Sequence, residues 1–400
     1  MSIPCASLLE HRSMELLSHQ QRIININPKK AILNWEMRVG KTLPAVVWID
    51  LPEQAGNTYI ITLKKNKQEW VNMGTKAIVI TKEEFKRMSH TILNPTAIVV
   101  DEAHYFASGL FIKGRSQLSA TLYELLKKYP DCHILLLTAT PIRQNAWSLH
   151  TLLCYIGIYY PWKEWRGEFF VKEEHRFLKR QPWMKAGEVP MAWMPKRDWR
   201  MNIRKYIEVH TDIVSLRDIV EDLPPAESRI IKVKGEKYKK PKDEIVTWTH
   251  EHKHEQKGKV NEILELGYRK VIIVCMYTSQ IDELVRELSS EKPVFVLDGR
   301  TKDQSAVIAT AQASDECYLI CQSAMGETWD GWMFGCMVFV SMSHSCYQYT
   351  QMMGRQRHPK HLKVTETIYL IGGKWDQRIY DNVVTMGRDF NPHIYLNEPS

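Results

Sequence analysis

Eleven short apolar runs, each followed by a helical pattern, fall into two series and constrain the fold of this 400-residue chain more than any other feature. Ala31–Trp35, Thr58–Thr62, Ala77–Thr81, Ala97–Asp101 and His133–Thr138 make up the first series. Arg229–Val233, Lys270–Cys275, Pro293–Leu297, Cys317–Cys321, Met337–Ser341 and Thr365–Ile371 make up the second. Runs of this length that do not alternate polar with apolar suit strands covered on both faces, as in a parallel sheet with crossover helices. The expected fold class is therefore α/β, with two tandem doubly wound parallel-sheet lobes over residues 1–155 and 223–400. Residues 156–222 differ in composition and are expected to form a helical insertion or linker. Residues 161–205 hold five of the thirteen tryptophans (162, 165, 183, 193 and 199) and twelve Lys/Arg against six Asp/Glu. The Pro224-Pro225 pair is expected to act as a joint into the second lobe.

Composition narrows the classes further. With 44% hydrophobic and 25% charged residues the chain is neither disordered nor fibrous. Lys+Arg minus Asp+Glu is 54 − 46 = +8, a mild bias toward polyanionic partners. The cysteines at 5, 132, 154, 275, 317, 321, 336 and 346 show no two-residue gap of a zinc or redox pair, so they read as reduced, buried thiols. No apolar run approaches membrane-spanning length, and the start M-S-I-P-C-A-S-L-L-E-H-R shows no secretory pattern. A reducing cytosol or nucleus is the expected compartment.

Chemistry enters at A-I-L-N-W-E-M-R-V-G-K-T, where an apolar strand runs into Gly40-Lys41-Thr42 and a helical pattern begins. Backbone N–H groups at such a helix start can surround phosphate oxygens. Lys41 would place a charge between β- and γ-phosphates, and the Thr42 hydroxyl would be a hard ligand for Mg²⁺. A full Walker A motif has glycine where this chain has Trp35. Sixty residues beyond Lys41, T-A-I-V-V-D-E-A-H delivers Asp101 and Glu102 at the end of a strand. Asp101 would hold magnesium, and Glu102 would orient or deprotonate an attacking water. The next strand ends in Thr138-Ala139-Thr140-Pro141, whose hydroxyls could bond Asp101 or His104.

Taken in order, these segments resemble superfamily-2 helicases and translocases, and the resemblance runs on through Val271–Tyr277, Leu297–Thr301, Ser323–Asp330 and Gln351–His358. It is closest to chromatin-remodeller-like (Swi/Snf-type) DEAH-box ATPases: E-M-R-V-G-K-T resembles their E-M-G-L-G-K-T, and Thr140–Asn145 resembles their G-T-P-L-Q-N-N. Leu216-Arg217 through Leu223-Pro224-Pro225 resembles their arginine-rich helix ending in L-P-P. The chain is similar in size to a compact phage- or bacterial-type member, which implies a cytoplasmic protein, in the host cytoplasm if phage-encoded. The resemblance implies two RecA-like lobes with ATP in the cleft between them. It implies that Gln20 reads adenine, that Arg38, Val39, Gly40, Lys41, Thr42, Gly326 and Asp330 contact the nucleotide, and that ATP and Mg²⁺ are required. Catalytic roles fall to Glu102, Gln351, Arg355 and Arg357, with Arg355 the first choice for an arginine finger. Two departures stand out: His358 replaces the second arginine of Q-x-x-G-R-x-x-R, and Thr328 replaces a glycine.

The implied activity is ATP-driven movement along DNA, double-stranded or branched by preference, with unwinding or branch migration as variants. Backbone contacts would come from Lys64, Lys65, Thr81, Lys82, Arg300 and Thr301, with Trp70 in the same segment as the first two. The alternatives are a DEAH-type RNA helicase and a slow ATP-gated nucleic-acid clamp. The Trp-rich insertion reads either as a stacking platform for unpaired bases or as a small aromatic core. His250, His252 and His254 suggest a metal site by spacing, but their lysine-rich surroundings favour an exposed linker.

Overall fold

Parallel pairing organises both halves of the chain. The computed structural model describes residues 15–92, 94–111, 116–142, 145–174, 191–221, 226–233, 258–326, 329–358 and 364–390. Pro224-Pro225, the His250–His254 run, Trp183, Arg143, Gln144, Thr328 and Cys5 lie outside the described residues.

The chain divides into two units, one of Met1–Trp35 with Gly40–Val214, the other of Glu36–Val39 with Ser215–Ser400. In the first unit the strands are β1 (Lys30–Trp35), β2 (Asn57–Thr62), β3 (Ile78–Thr81), β4 (Pro95–Val100), β5 (His133–Thr138), a separate pair β6 (Phe170–Glu174) and β7 (Met191–Pro195), and β8 (Asp212–Val214). One six-stranded sheet runs in the order β3-β2-β4-β5-β1-β8, parallel throughout. Its centre is apolar on both faces: Leu33, Ile98, Val99, Val100, Leu135 and Leu136 are all buried. Continuous apolar runs thus become fully covered strands, as expected for crossover-flanked sheets.

The second unit has β9 (Ala226–Lys232), β10 (Lys270–Cys275), β11 (Val294–Leu297), β12 (Cys317–Gln322), β13 (Cys336–Phe339) and β14 (Thr365–Ile371). They form a second six-stranded parallel sheet, ordered β11-β12-β10-β13-β14-β9. The amphipathic Thr278–Leu288 helix packs Ile281, Leu284 and Leu288 against one face, and Ile379, Val383 and Val384 of the Lys374–Phe390 helix help cover the other. The mixed α/β fold with two parallel sheets therefore holds, and all eleven expected strands appear within a few residues of their expected positions.

The region expected as a helical insertion is built otherwise. It contains helices Trp162–Phe169 and Trp199–His210, the antiparallel ribbon β6–β7, and β8, which extends the first sheet beside β1. Two anchors join its residues up to Val214 to the first unit. Leu33, Asn34 and Trp35 pair with Asp212, Ile213 and Val214, and the buried Trp165 indole donates to the Ala146 carbonyl at 3.2 Å. The division falls after Val214, ahead of the expected Pro-Pro joint.

Seven cysteines are described, all free, six buried and Cys154 half-buried. Burial pushes the thiols of Cys132, Cys154 and Cys336 up to about 12, the behaviour of inert core sulfur. Among the described residues no helix is long and apolar enough to cross a membrane.

Candidate functional site

Parallel strands bring all their C-terminal ends to one edge of a sheet, and in the first unit that edge carries the candidate chemistry. β1 ends at Trp35, and the loop that follows reaches the Thr42–Ile49 helix. Pro44 fits the first turn, where its missing N–H is no loss, and Ala45–Ile49 are buried. Gly40 has φ +77°, and a Cβ there would lie 2.6 Å from Gln20 Nε2, so the position needs glycine. Arg38 also has a positive φ, +70°, at the position where the remodeller-like motif has glycine. Val39 is buried, Gly40 exposed, and Lys41 and Thr42 half-buried.

Gln20 is buried and spends both ends of its amide inside the protein. Its Nε2 donates to the Gly40 carbonyl at 2.9 Å, and its Oε1 accepts from Leu17 N–H at 2.9 Å. Here it braces the turn at Gly40. Lys41 Nζ donates to the Trp35 carbonyl at 2.9 Å.

At the end of β4, one Asp101 oxygen accepts three hydrogen bonds: from Thr62 Oγ1 at 2.7 Å, Asn66 Nδ2 at 3.2 Å and Trp70 Nε1 at 3.2 Å. Trp70, expected near the nucleic-acid track, is instead buried and orients this carboxylate. Next in sequence, Glu102 adopts the left-handed conformation (φ +48°), and its carboxylate lies 3.3 Å from His104 Nδ1. The same nitrogen is 3.3 Å from Thr138 Oγ1 at the end of β5, and that hydroxyl also accepts from Thr140 N–H at 3.0 Å. Of the two partners expected for these threonines, His104 is the one found.

Among the described residues no cluster of three His, Cys, Asp or Glu side chains could hold a metal. Magnesium does not require one, since it keeps several waters and uses one or two carboxylates together with substrate phosphates. Thr42 and Asp101 supply hard oxygen donors of that kind.

The second unit holds the remaining candidates. Arg355 is buried, and its guanidinium donates to the Gln351 carbonyl (3.1 Å), Gln351 Oε1 (3.2 Å) and the Trp329 carbonyl (2.8 Å), with Met37 Sδ at 3.4 Å. Arg357 Nη1 donates to Glu36 Oε1 at 2.9 Å, and the other Glu36 oxygen accepts from Leu216 N–H at 2.7 Å. Burial and the nearby Arg357 charge hold the Arg217 guanidinium below its usual range, against the pull of Glu36. Arg38 donates to the Trp329 carbonyl at 2.9 Å and pairs with Asp330. Gly326 is buried, and a Cβ there would sit 3.2 Å from Met352 N. His358 stacks on Trp332 with ring centroids 5.3 Å apart.

The expected backbone-contact residues divide. Lys64 and Lys65 are exposed, and Lys64 borders a groove of about 1120 Å³ whose charged lining is Lys67, Lys86 and Arg87 with Glu83 and Glu84, Lys67 being paired to Glu84. Lys82 lies 3.9 Å over the Tyr105 ring. Arg300 is held by Asp282 and Asp298, whose hydrogen bonds raise its pKa, so two carboxylates already engage its guanidinium. The Thr301 hydroxyl donates to the Val296 carbonyl and accepts from Asp298 N–H, both at 3.1 Å.

Thr81 is buried and caps the Lys82–Met88 helix: its hydroxyl accepts from Glu84 N–H at 3.1 Å while Glu84 accepts from Thr81 N–H at 2.7 Å. The Lys67 hydrogen bond, then the Thr81 backbone, pull the Glu84 carboxyl down to about 2. A depressed carboxylate stabilises the fold above its unfolded-state value, and that stabilisation is lost as pH falls through the folded value. The cap should therefore persist at pH 3.5. Amide exchange of residues 84–86 is expected to stay slow there and to quicken in Glu84→Ala, which removes the acceptor as well as the charge; equal rates in the two proteins would refute a cap carried by Glu84.

Several of the insertion's described aromatic side chains form a core with Trp147. Trp147 stacks on Phe170 at 3.6 Å and lies 4.4 Å from Trp162, while Trp165 packs with Phe169 and Tyr206. Of the described insertion tryptophans Trp193 alone is exposed, with the Arg166 guanidinium 4.2 Å over its ring.

No protein-family model matches this chain, and no curated protein matches it.

Proposed function

We propose that this protein is an ATP-dependent DNA translocase or helicase of the superfamily-2, remodeller-like type, with RecA-like units, hydrolysing ATP to ADP and phosphate. The observation that carries the reading is topological. The G-K-T loop and the D-E-A-H turn leave β1 and β4 at the same edge of one parallel sheet, with only β5 between them, and β5 ends in the threonine that meets His104. That edge is where open α/β sheets place ligands.

In this reading the backbone N–H groups from Gly40 into the Thr42–Ile49 helix receive the phosphate tail, helped by the helix dipole. Lys41 leaves the Trp35 carbonyl and pairs with β- and γ-oxygens. Thr42 and Asp101 would hold Mg²⁺, which supplies charge neutralisation on the phosphates. Glu102 takes the proton of the attacking water, with His104 and Thr138 fixing its orientation. Arg355 and Arg357 are the candidates for offsetting negative charge on the γ-phosphoryl group. The exposed Lys64 and Lys65, with Lys86 and Arg87 across the groove, favour a polyanion, and DNA is the partner proposed, with a cytoplasmic location.

The full engagement of Arg355 with Gln351 and Trp329 favours a second reading, a slow ATP-gated clamp on nucleic acid. Turnover measured with no nucleic acid, single-stranded DNA, double-stranded DNA and RNA separates the readings. Strongest stimulation by double-stranded DNA is expected, with Lys41→Ala abolishing it. Stimulation by RNA alone would redirect the substrate, slow turnover unaffected by any of them would favour the clamp, and activity surviving in Lys41→Ala would overturn the site.

A further inference from the structure

One side chain far from the G-K-T loop in sequence is bound to the residue from which that loop starts. Asp212 opens β8, and its Oδ1 accepts from the Trp35 indole Nε1 at 2.6 Å and from Arg22 Nη2 at 2.9 Å; its Oδ2 lies 2.8 Å from Arg22 Nη1. Arg22 belongs to the Ser18–Ile26 helix, which also carries Gln20, and His19 of that helix meets the Trp35 ring edge-on at 4.8 Å. Trp35 is fully buried, and its carbonyl is the acceptor of Lys41 Nζ. A single carboxylate thus ties together the helix that braces Gly40, the residue that stands where a Walker loop has its first glycine, and the resting place of the lysine.

We propose that Asp212 is a positioning residue for nucleotide binding, fixing Trp35 so that the loop from Glu36 to Thr42 and the Lys41 ammonium are held ready for a phosphate tail. This deepens the ATPase reading and rests on it. The physical ground is pre-organisation. A tryptophan in place of glycine has a large side chain that must be immobilised, and a charge-assisted, bidentate Arg22–Asp212 pair fixes the acceptor that holds its N–H. Misplacing a binding group by about 1 Å can cost as much as ~10²-fold, so loss of the brace should be felt in affinity. Asp212 does not itself face the reacting atoms in this scheme. Its loss should therefore raise KM for ATP more than it lowers kcat.

Four full-length variants test the idea: Asp212→Ala, Asp212→Asn, Trp35→Phe and Lys41→Ala. Two readouts are needed, fluorescent-ATP affinity with steady-state kinetics, and amide exchange of residues 36–42 without nucleotide. Asp212→Ala is expected to weaken ATP binding and raise KM by about tenfold, with kcat within about threefold of the parent. Asp212→Asn, which retains an acceptor for the indole, should recover part of the loss, and Trp35→Phe should reproduce it. Exchange in 36–42 should quicken in Asp212→Ala while residues 270–275 in the second unit keep their rates. Unchanged affinity and unchanged loop exchange in Asp212→Ala would overturn the proposal, as would a general loss of protection across both units. If the parent binds no ATP and Lys41→Ala matches it, the ATPase reading fails, and the exchange measurement still decides whether Asp212 holds the loop.

Discussion

Replacing Glu102 with glutamine is expected to slow ATP turnover by about 10²–10⁴-fold, the range a positioned general base contributes, while leaving ATP affinity within a few-fold of the parent. The side chain keeps its size and its capacity to accept a hydrogen bond, so only basicity and charge are lost. Glu102 is held in the left-handed region by a turn that no longer runs with β4, and its carboxylate meets His104 Nδ1 at 3.3 Å. His104 is buried and also lies 3.3 Å from Thr138 Oγ1, so the proposed base sits on a support anchored in β5. His104→Ala should therefore give a smaller loss than Glu102→Gln, and Thr138→Val a smaller loss again, because each acts through the carboxylate. Single-turnover hydrolysis with pre-bound ATP checks the ordering. Turnover in Glu102→Gln within twofold of the parent would remove the glutamate from the chemistry, and a parallel fall in ATP affinity would mark it as a binding residue instead.

What the sequence made legible, and what it did not, follows from the range of the interactions involved. The sheets were legible because fully covered strands are written as local apolar runs: His133–Thr138 and Lys270–Cys275 were found residue for residue. β8 was not, since Asp212–Val214 is three residues long and becomes a strand only by pairing with Leu33–Trp35, some 180 positions away. β6 and β7 escaped for another reason: most of their residues are exposed or half-exposed, so no buried face imposes an alternation. The Pro-Pro pair lies outside the described residues, and the division between units follows β8 and Trp165 packing on the Ala146–Tyr155 helix. At the candidate site the backbone motifs were legible, as glycine at φ +77° and a strand-end carboxylate pair leave local signatures. Their supports were not. Nothing near Trp70 or Asp212 in sequence indicates that the first turns its indole to Asp101 and the second its carboxylate to Trp35. Thr81 and Arg300 show the converse: a motif position suggested an open phosphate contact, and a helix cap or two neighbouring carboxylates had already claimed the side chain.

The largest expected stability loss lies away from this chemistry, in Lys259→Met. Lys259 is fully buried, and its ammonium donates to the Val340 carbonyl at 2.7 Å and to Asp376 Oδ2 at 2.6 Å. Asp376 is itself buried in the first turn of the Lys374–Phe390 helix, where a negative charge is favoured by the helix dipole, and it accepts from Gly372 N–H at 3.1 Å. Taking two charges out of water is costly, and their mutual attraction offsets that cost only while both are present. Removing the lysine leaves a carboxylate in the core without its counter-charge, and breaking a buried pair in this way typically costs about 3–5 kcal/mol. Asp376→Asn strands the ammonium and should cost a similar amount, whereas the double replacement Lys259→Met with Asp376→Leu should cost less than either single change, because no orphaned charge remains. Two units need not unfold together, so denaturant unfolding should be followed by amide exchange in β10 and β14 rather than by one global signal. Loss confined to the second unit, with β1 and β4 unaffected, is the expected pattern. Near-additive costs in the double variant would show that Lys259 and Asp376 contribute by packing alone and that the ion pair is not what joins the residues 258–265 helical stretch to the Lys374–Phe390 helix.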